Sequence, residues 1–222
     1  MPEPTDTTAE TAPPTEAVAD GAAKPERVRK RPKPGERRVQ ILQTLAQMLE
    51  QPGAERITTA ALAARLSVSE AALYRHFASK ALMFEGLIEF IEGSVFTLVN
   101  QIVEREPSGG QQAVKIMGVL LGFGEKNPGM VRVMVGDALV FEHERLIARM
   151  NQFFDRLESQ LRQSLRAAAE AAGSPQPTVD GNAQASALTA LAIGRLQRYA
   201  RSGFKRSPTE HLDAGLRLLI NR

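Results

Sequence analysis

The sequence predicts an all-α protein of about nine helices, and three observations carry that expectation. Apolar residues recur at helical spacing from about residue 37 to the C-terminus, no stretch alternates apolar and polar residues as a half-buried strand does, and Pro and Gly fall between the periodic runs. The 222 residues are 43% hydrophobic and 24% charged, enough to bury a sizeable core in one domain or two small ones. Cysteine is absent, which excludes disulfides, thiolate metal sites and cysteine nucleophiles and suits a reducing compartment. No run approaches the ~18 apolar residues of a membrane span, and the N-terminus lacks a signal-peptide apolar core. A soluble, cytoplasmic protein without membrane contact is therefore expected.

Taken in order, residues 1–36 hold Pro2, Pro4, Pro13, Pro14, Pro25, Pro32 and Pro34, and their apolar side chains are mostly alanine. Such a segment buries too little surface to offset its ordering entropy, so it is expected to be disordered. Its charge is divided. Residues 1–23 carry Glu3, Asp6, Glu10, Glu16 and Asp20 with no Lys or Arg; residues 24–38 carry Lys24, Arg27, Arg29, Lys30, Arg31, Lys33, Arg37 and Arg38 against Glu26 and Glu36. With a net charge of only +3, the remaining chain is near neutral. An acidic tail followed by a basic arm suits contact with an anionic partner, and it equally suits a solvated linker that happens to be basic.

The first helix follows from Val39, Ile41, Leu42, Leu45, Ala46, Met48 and Leu49 and ends before Pro52-Gly53. A second starts at Thr58 or Thr59, either able to cap it, and runs through Leu62, Ala63 and Leu66. Ser67-Val68-Ser69 forms a turn, and Ser69 caps a short third helix reaching Tyr74 to Phe77. A long helix spans about 79–106, stopped by Pro107 and the Gly109-Gly110 pair. Helices of about 111–126, 130–135 and 138–172 follow, the last ending at Gly173. The loop to Gly181 is expected to be structureless, with final helices over about 182–202 and from Pro208 to Asn221.

The most informative stretch is ITTAALAARLSVSEAALYRHFASK, residues 57–80. Two short helices joined by a three-residue turn, with Leu62, Ala63, Leu66, Val68, Ala72 and Leu73 inward, pack as a helix-turn-helix. Its second helix then presents Ser69, Glu70, Ala71, Arg75 and Tyr74 to a major groove, where small Ala71 allows close approach to a thymine methyl. Thr58, Thr59, Tyr74, His76 and Lys80 suit phosphate contacts that set register. Two core helices of an ordinary bundle would carry much of the same pattern.

With LYRHF followed by Ser79-Lys80, this segment resembles the DNA-binding signature of the TetR family. That family's usual turn glycine is Ser67 here, which must bear some left-handed strain. Further runs, among them MFEGLIEFIE, LLGFGEKNPGM, LVFEHERL, MNQFFDRLESQLRQSLR and RSGFKRSPTEHLDA, resemble the nucleoid occlusion factors within that family and extend the likeness over most of residues 37–215. The resemblance implies a TetR-like fold with an arm at 1–36, a DNA-binding domain at 37–80 and a dimerisation and partner-binding body at 81–222. It also implies a nucleoid-associated homodimer, with several dimers on one DNA site as an open possibility, that inhibits assembly of the cell-division GTPase FtsZ.

By matched position, the FtsZ-facing groove would include Phe90, Val119, Gly122, Lys126 and Asn127. The family pattern favours leucine at Val119 and arginine at Lys126 and at Leu98, so Leu98 removes a cation from a surface expected to meet an acidic peptide. Spacing alone puts Phe84, Leu87, Ile88, Ile91, Val95, Leu98 and Ile102 on one face, with Phe90 about 100° from Ile91. Gly118, Gly122 and Gly124 either smooth a groove or permit tight helix packing. Ala183, Ala187, Leu188, Leu191, Ala192, Arg195 and Tyr199 form a face suited to a twin helix, and a two-fold dimer would set its reading helices ~34 Å apart. His76, His143 and His211 lack ligand spacing, so no metal, cofactor or enzymatic activity is expected. The alternative function is a ligand-responsive repressor, which needs a polar-lined internal cavity.

Overall fold

Serine and threonine caps divide the chain much as its punctuation does. A computed structural model describes residues 35–51 and 56–220, so the expectations for the N-terminal arm, Pro52-Gly53 and Asn221 lie outside the described residues. Among the described residues there are nine α-helices: α1 (Glu36–Leu49), α2 (Thr59–Leu66), α3 (Glu70–Tyr74), α4 (Lys80–Arg105), α5 (Gly109–Lys126), α6 (Pro128–Met134), α7 (Glu144–Ala171), α8 (Pro177–Arg201) and α9 (Leu212–Ile220). A 3-10 turn lies at Asp137–Leu139. The side chains of Thr58, Ser69, Ser79 and Ser108 cap α2, α3, α4 and α5, each accepting from the backbone N–H three residues on.

Five boundaries correct the sequence reading. The third helix stops at Tyr74, short of Phe77. Gly109 and Gly110 do not end a helix but open α5, because a Cβ at Gly109 would lie 2.0 Å from the Ser164 carbonyl oxygen. α7 begins at Glu144 rather than near Ala138: Gly136, at φ 86°, turns the chain, and His143 Nδ1 accepts from the Arg145 N–H at 3.3 Å. The segment before Gly181 is helical, since Pro177 occupies the first turn of α8, where its missing N–H costs nothing. α9 starts at Leu212, because Ser207 and Thr209 bind Glu125 and His211 adopts φ 54°.

The core runs from α1 to α9. Ile41, Leu73, Leu87, Ile116, Leu120, Leu157, Leu188 and Leu196 have at most 0% relative exposure. Phe96, Phe153 and Phe154 stack edge-on at 5.3 and 5.1 Å. The α8 face expected to meet a twin is corrected here: Leu188, Ala192 and Tyr199 are buried within the protomer, and Arg195 donates to the Pro208 and Glu210 carbonyls at 3.1 and 2.7 Å. Ala183, Ser186, Ala187, Ala190 and Gly194 form the exposed small-residue face instead.

Close packing ties α1 to the body, and ion pairs tie α4 to it. Gly129 of α6 comes so near α1 that a Cβ would stand 2.0 Å from the Ala46 carbonyl oxygen. α4 is clamped to α7 by Arg145 on Glu85 (2.8 Å) and by Arg149 bidentate on Glu92 (2.7 and 3.2 Å), and Lys80 pairs with Glu142 just before α7. The Arg149 guanidinium is held above its ordinary pKa, chiefly by the Glu92 hydrogen bonds.

Candidate functional site

The helix-turn-helix is built as its residue types require. Leu62, Ala63, Leu66 and Leu73 are buried between α2 and α3, and Phe77 closes the unit beneath α4. Ser67 adopts φ 54° and ψ 47°, the left-handed conformation expected of the turn. Ser69, Glu70, Ala71, Tyr74, Arg75 and His76 are all exposed on one outward surface, and Thr58 joins them. The capping hydroxyls of Thr58 and Ser69 accept backbone N–H bonds at 3.1 and 3.2 Å, which leaves each O–H able to donate to a phosphate oxygen.

Within that surface, Thr59 donates to Glu70 Oε2 at 2.5 Å and receives the Tyr74 hydroxyl at 3.4 Å. The three side chains expected to face DNA separately therefore brace α3 against α2. Arg38, read in the sequence as part of the basic arm, stacks 4.1 Å over the Phe77 ring and donates to the His76 carbonyl at 2.7 Å. Lys80, expected to contact phosphate, has its ammonium paired with Glu142 and is 26% exposed, so that carboxylate competes with phosphate for it.

A second surface lies between α4 and α5. An open groove of about 540 Å3 is lined by Leu98, Ile102, Lys115, Gly118, Val119, Gly122, Phe123, Lys126 and Asn127. It thus holds four of the five residues expected to bind a partner. The fifth, Phe90, is 50% exposed and lies against Phe123 with ring centroids 6.2 Å apart. Leu98, placed by spacing on the core face, is 46% exposed, and Phe96 and Val99 take the buried positions. The glycines divide between the two roles left open. A Cβ at Gly118 or Gly122 meets nothing within 4 Å, so both form groove wall, whereas one at Gly124 would lie 2.6 Å from Leu196 Cδ2. Asn127 ends α5 with its amide donating to the Phe123 carbonyl at 2.8 Å.

Lys115 was not anticipated. Its place on the groove follows from its spacing with Val119, Gly122 and Lys126, a signal visible only once the groove-facing side of α5 is known. The inward face of α5, where a repressor would line a ligand cavity, carries Ala113, Ile116, Met117 and Leu120 at 0% exposure, and Gln112 at its edge already accepts from the Ser164 hydroxyl at 2.7 Å. No group of three or more metal-binding side chains occurs among the described residues, and no helix among them is long and apolar enough to cross a membrane.

Two stretches of the chain match known families, the first holding the helix-turn-helix and the second the α5 side of the groove, with Phe90, Leu98 and Ile102 of α4 lying between them. Residues 41–87 match the description "Bacterial regulatory proteins, tetR family", and residues 111–222 match "Tetracyclin repressor-like, C-terminal domain" of the SlmA-like type. The nucleoid occlusion factor SlmA of Photobacterium profundum is 52% identical over 184 residues, covering 82% of this chain and 93% of the relative. That of Idiomarina loihiensis is 51% identical over 180 residues, covering 80% and 90%. Solved structures share the fold at lower identity: the MbdR regulator of Azoarcus sp. CIB (TM-score 0.67, 19% identity, 82% and 95% covered) and PfmR of Thermus thermophilus (0.64, 20%, 82% and 97%). The chain belongs to the nucleoid occlusion factors of the TetR family, the SlmA proteins.

Proposed function

We propose that this protein binds specific chromosomal sites as a homodimer through α2 and α3 and inhibits FtsZ assembly there through the α4–α5 groove. The observation that carries the reading is that groove, open along Gly118 and Gly122, with Phe90 and Phe123 at one end and Lys126 on its rim. Apolar floor, backbone-close wall and rim cation together suit an acidic segment with interspersed apolar side chains. On the DNA surface, Ser69, Glu70, Ala71 and Arg75 read base edges, while Thr58, Thr59, Tyr74 and His76 hold the backbone. Lys80 joins the phosphate row in competition with Glu142. The exposed small-residue face of α8 pairs with its copy, and the protein works on the nucleoid in the cytoplasm, without catalytic chemistry.

The test is sedimentation of FtsZ polymers with the protein, with and without chromosomal fragments that it enriches. Less pelleted FtsZ in the presence of protein and fragment is expected. Unchanged polymer at saturating protein, with and without DNA, would refute the function.

A further inference from the structure

The groove-facing stripe of α5 carries a charge at each end. Lys115, Gly118, Val119, Gly122 and Lys126 follow at i, i+3, i+4, i+7 and i+11, and all five line the same groove. The two lysines stand about 16 Å apart along the helix axis. From α4 the groove receives only Leu98 and Ile102, both apolar. Lys115 also borders the adjoining cavity of about 210 Å3 with Leu98, Gln101 and Arg105. Its side chain is 51% exposed, and its Nζ donates to Glu106 Oε2 at 2.5 Å. Glu106 is itself fixed at the end of α4 by the Ser108 N–H at 3.1 Å, so it holds the ammonium at the groove's edge. An ammonium has three N–H donors, and one bond to Glu106 leaves two for a ligand.

We infer that Lys115 is the groove's second anion-binding cation: an acidic segment of FtsZ lies along α5, with one carboxylate on Lys126, apolar side chains over Gly118, Val119 and Gly122, and another carboxylate on Lys115. This rests on the groove being the FtsZ site. The cation that the family resemblance puts on α4 at Leu98 is then supplied from the facing wall, and Leu98 becomes an apolar contact. Glu106 anchors Lys115 and also competes with the incoming carboxylate, so removing its charge must tighten binding.

The experiment measures binding of purified FtsZ to the full-length protein and its variants at two salt concentrations. Lys115→Ala is expected to weaken binding about fivefold at low salt and to flatten its salt dependence. Glu106→Gln, which keeps an acceptor for Ser108, is expected to tighten binding about twofold. Adding Leu98→Arg to Lys115→Ala is expected to restore most of the loss, because the charge returns from the opposite wall. DNA affinity is expected to stay at the parent's value in all three. If Phe90→Ala abolishes binding but Lys115→Ala and Glu106→Gln both bind as the parent does, the role of Lys115 is overturned while the groove stands. If the parent itself does not bind FtsZ, both fall.

Discussion

Gly129→Ala and Gly118→Ala are the same chemical change in two helices, and the structure assigns them opposite signs. At Gly129 the added methyl would stand 2.0 Å from the Ala46 carbonyl oxygen and 2.9 Å from its carbon. Neither atom belongs to a flexible side chain, so α6 must back away from α1 by more than 1 Å to reach ordinary contact, about 3.4 Å. Overpacking of this kind costs about 1–3 kcal/mol, and for a chain of this size each kcal/mol lowers Tm by about 2–4 °C. A fall of roughly 2–12 °C is expected. At Gly118 the methyl meets nothing within 4 Å. Replacing an interior helix glycine there gains up to about 1 kcal/mol, raising Tm by ~2–4 °C. Calorimetry on both variants decides the matter. Equal Tm values for the two would refute the close α1–α6 approach. DNA binding sharpens the test, because α1 carries α2 and α3 and any displacement from α6 also moves the reading surface.

Ser67→Gly is expected to stabilise the protein by about 0.5–1 kcal/mol through relief of the left-handed turn, read as a higher urea midpoint at unchanged slope. Arg38→Ala removes the Phe77 stacking and the His76 carbonyl bond, and should weaken DNA binding by roughly tenfold in a fluorescence anisotropy titration while leaving FtsZ binding intact. Glu125 is held below its usual carboxyl pKa, first by the Ser207 hydroxyl and then by Thr209, so its stabilising effect is complete above the unfolded value near 4.5 and is lost as pH falls through the lower folded value. Thermal scans from pH 7 to pH 3 should therefore show an acid-side loss of Tm that Glu125→Gln reduces. Neutralising Arg29, Lys30 and Arg31 should flatten the salt dependence of DNA affinity by roughly one phosphate contact for each arm charge engaged.

The helical layers were legible because each has its own period, and Thr58 and Ser69 cap α2 and α3 as their residue types suggest, whereas the Ser108 cap on α5 was not read. The errors arose where glycine or proline serves packing or a first turn instead of a break. Gly109 and Gly129 are small because backbone passes over them, and no local pattern distinguishes that from a loop glycine. Pro177 likewise reads as a stop in the run Gly173-Ser174-Pro175-Gln176, yet it opens α8. On the partner surface, Phe90 stood out by being a large aromatic off the core stripe. Leu98 did not, because its 3.6-residue phase matches the core and only the position of α5 leaves it uncovered. Lys115 was hidden for the same reason. A lysine's duty on an amphipathic helix depends on which neighbour lies opposite, and periodicity is blind to that.

α4 belongs to both surfaces at once. Its first turn, with the Ser79 cap and Lys80, closes the helix-turn-helix, and its later turns carry Phe90, Leu98 and Ile102 to the groove. A straight helix transmits a tilt along its whole length. Leu98 lies ~27 Å along the axis from Lys80, so a pivot of about 3° at Ser79 shifts it by about 1.4 Å, roughly a C–C bond length. The pairs Glu85–Arg145 and Glu92–Arg149 oppose such a tilt by fixing α4 to α7, and Lys80–Glu142 fixes its first turn to the segment before α7. Lys80 and the α4 wall of the groove thus belong to one helix, whose N-terminal end is held by the Lys80–Glu142 pair.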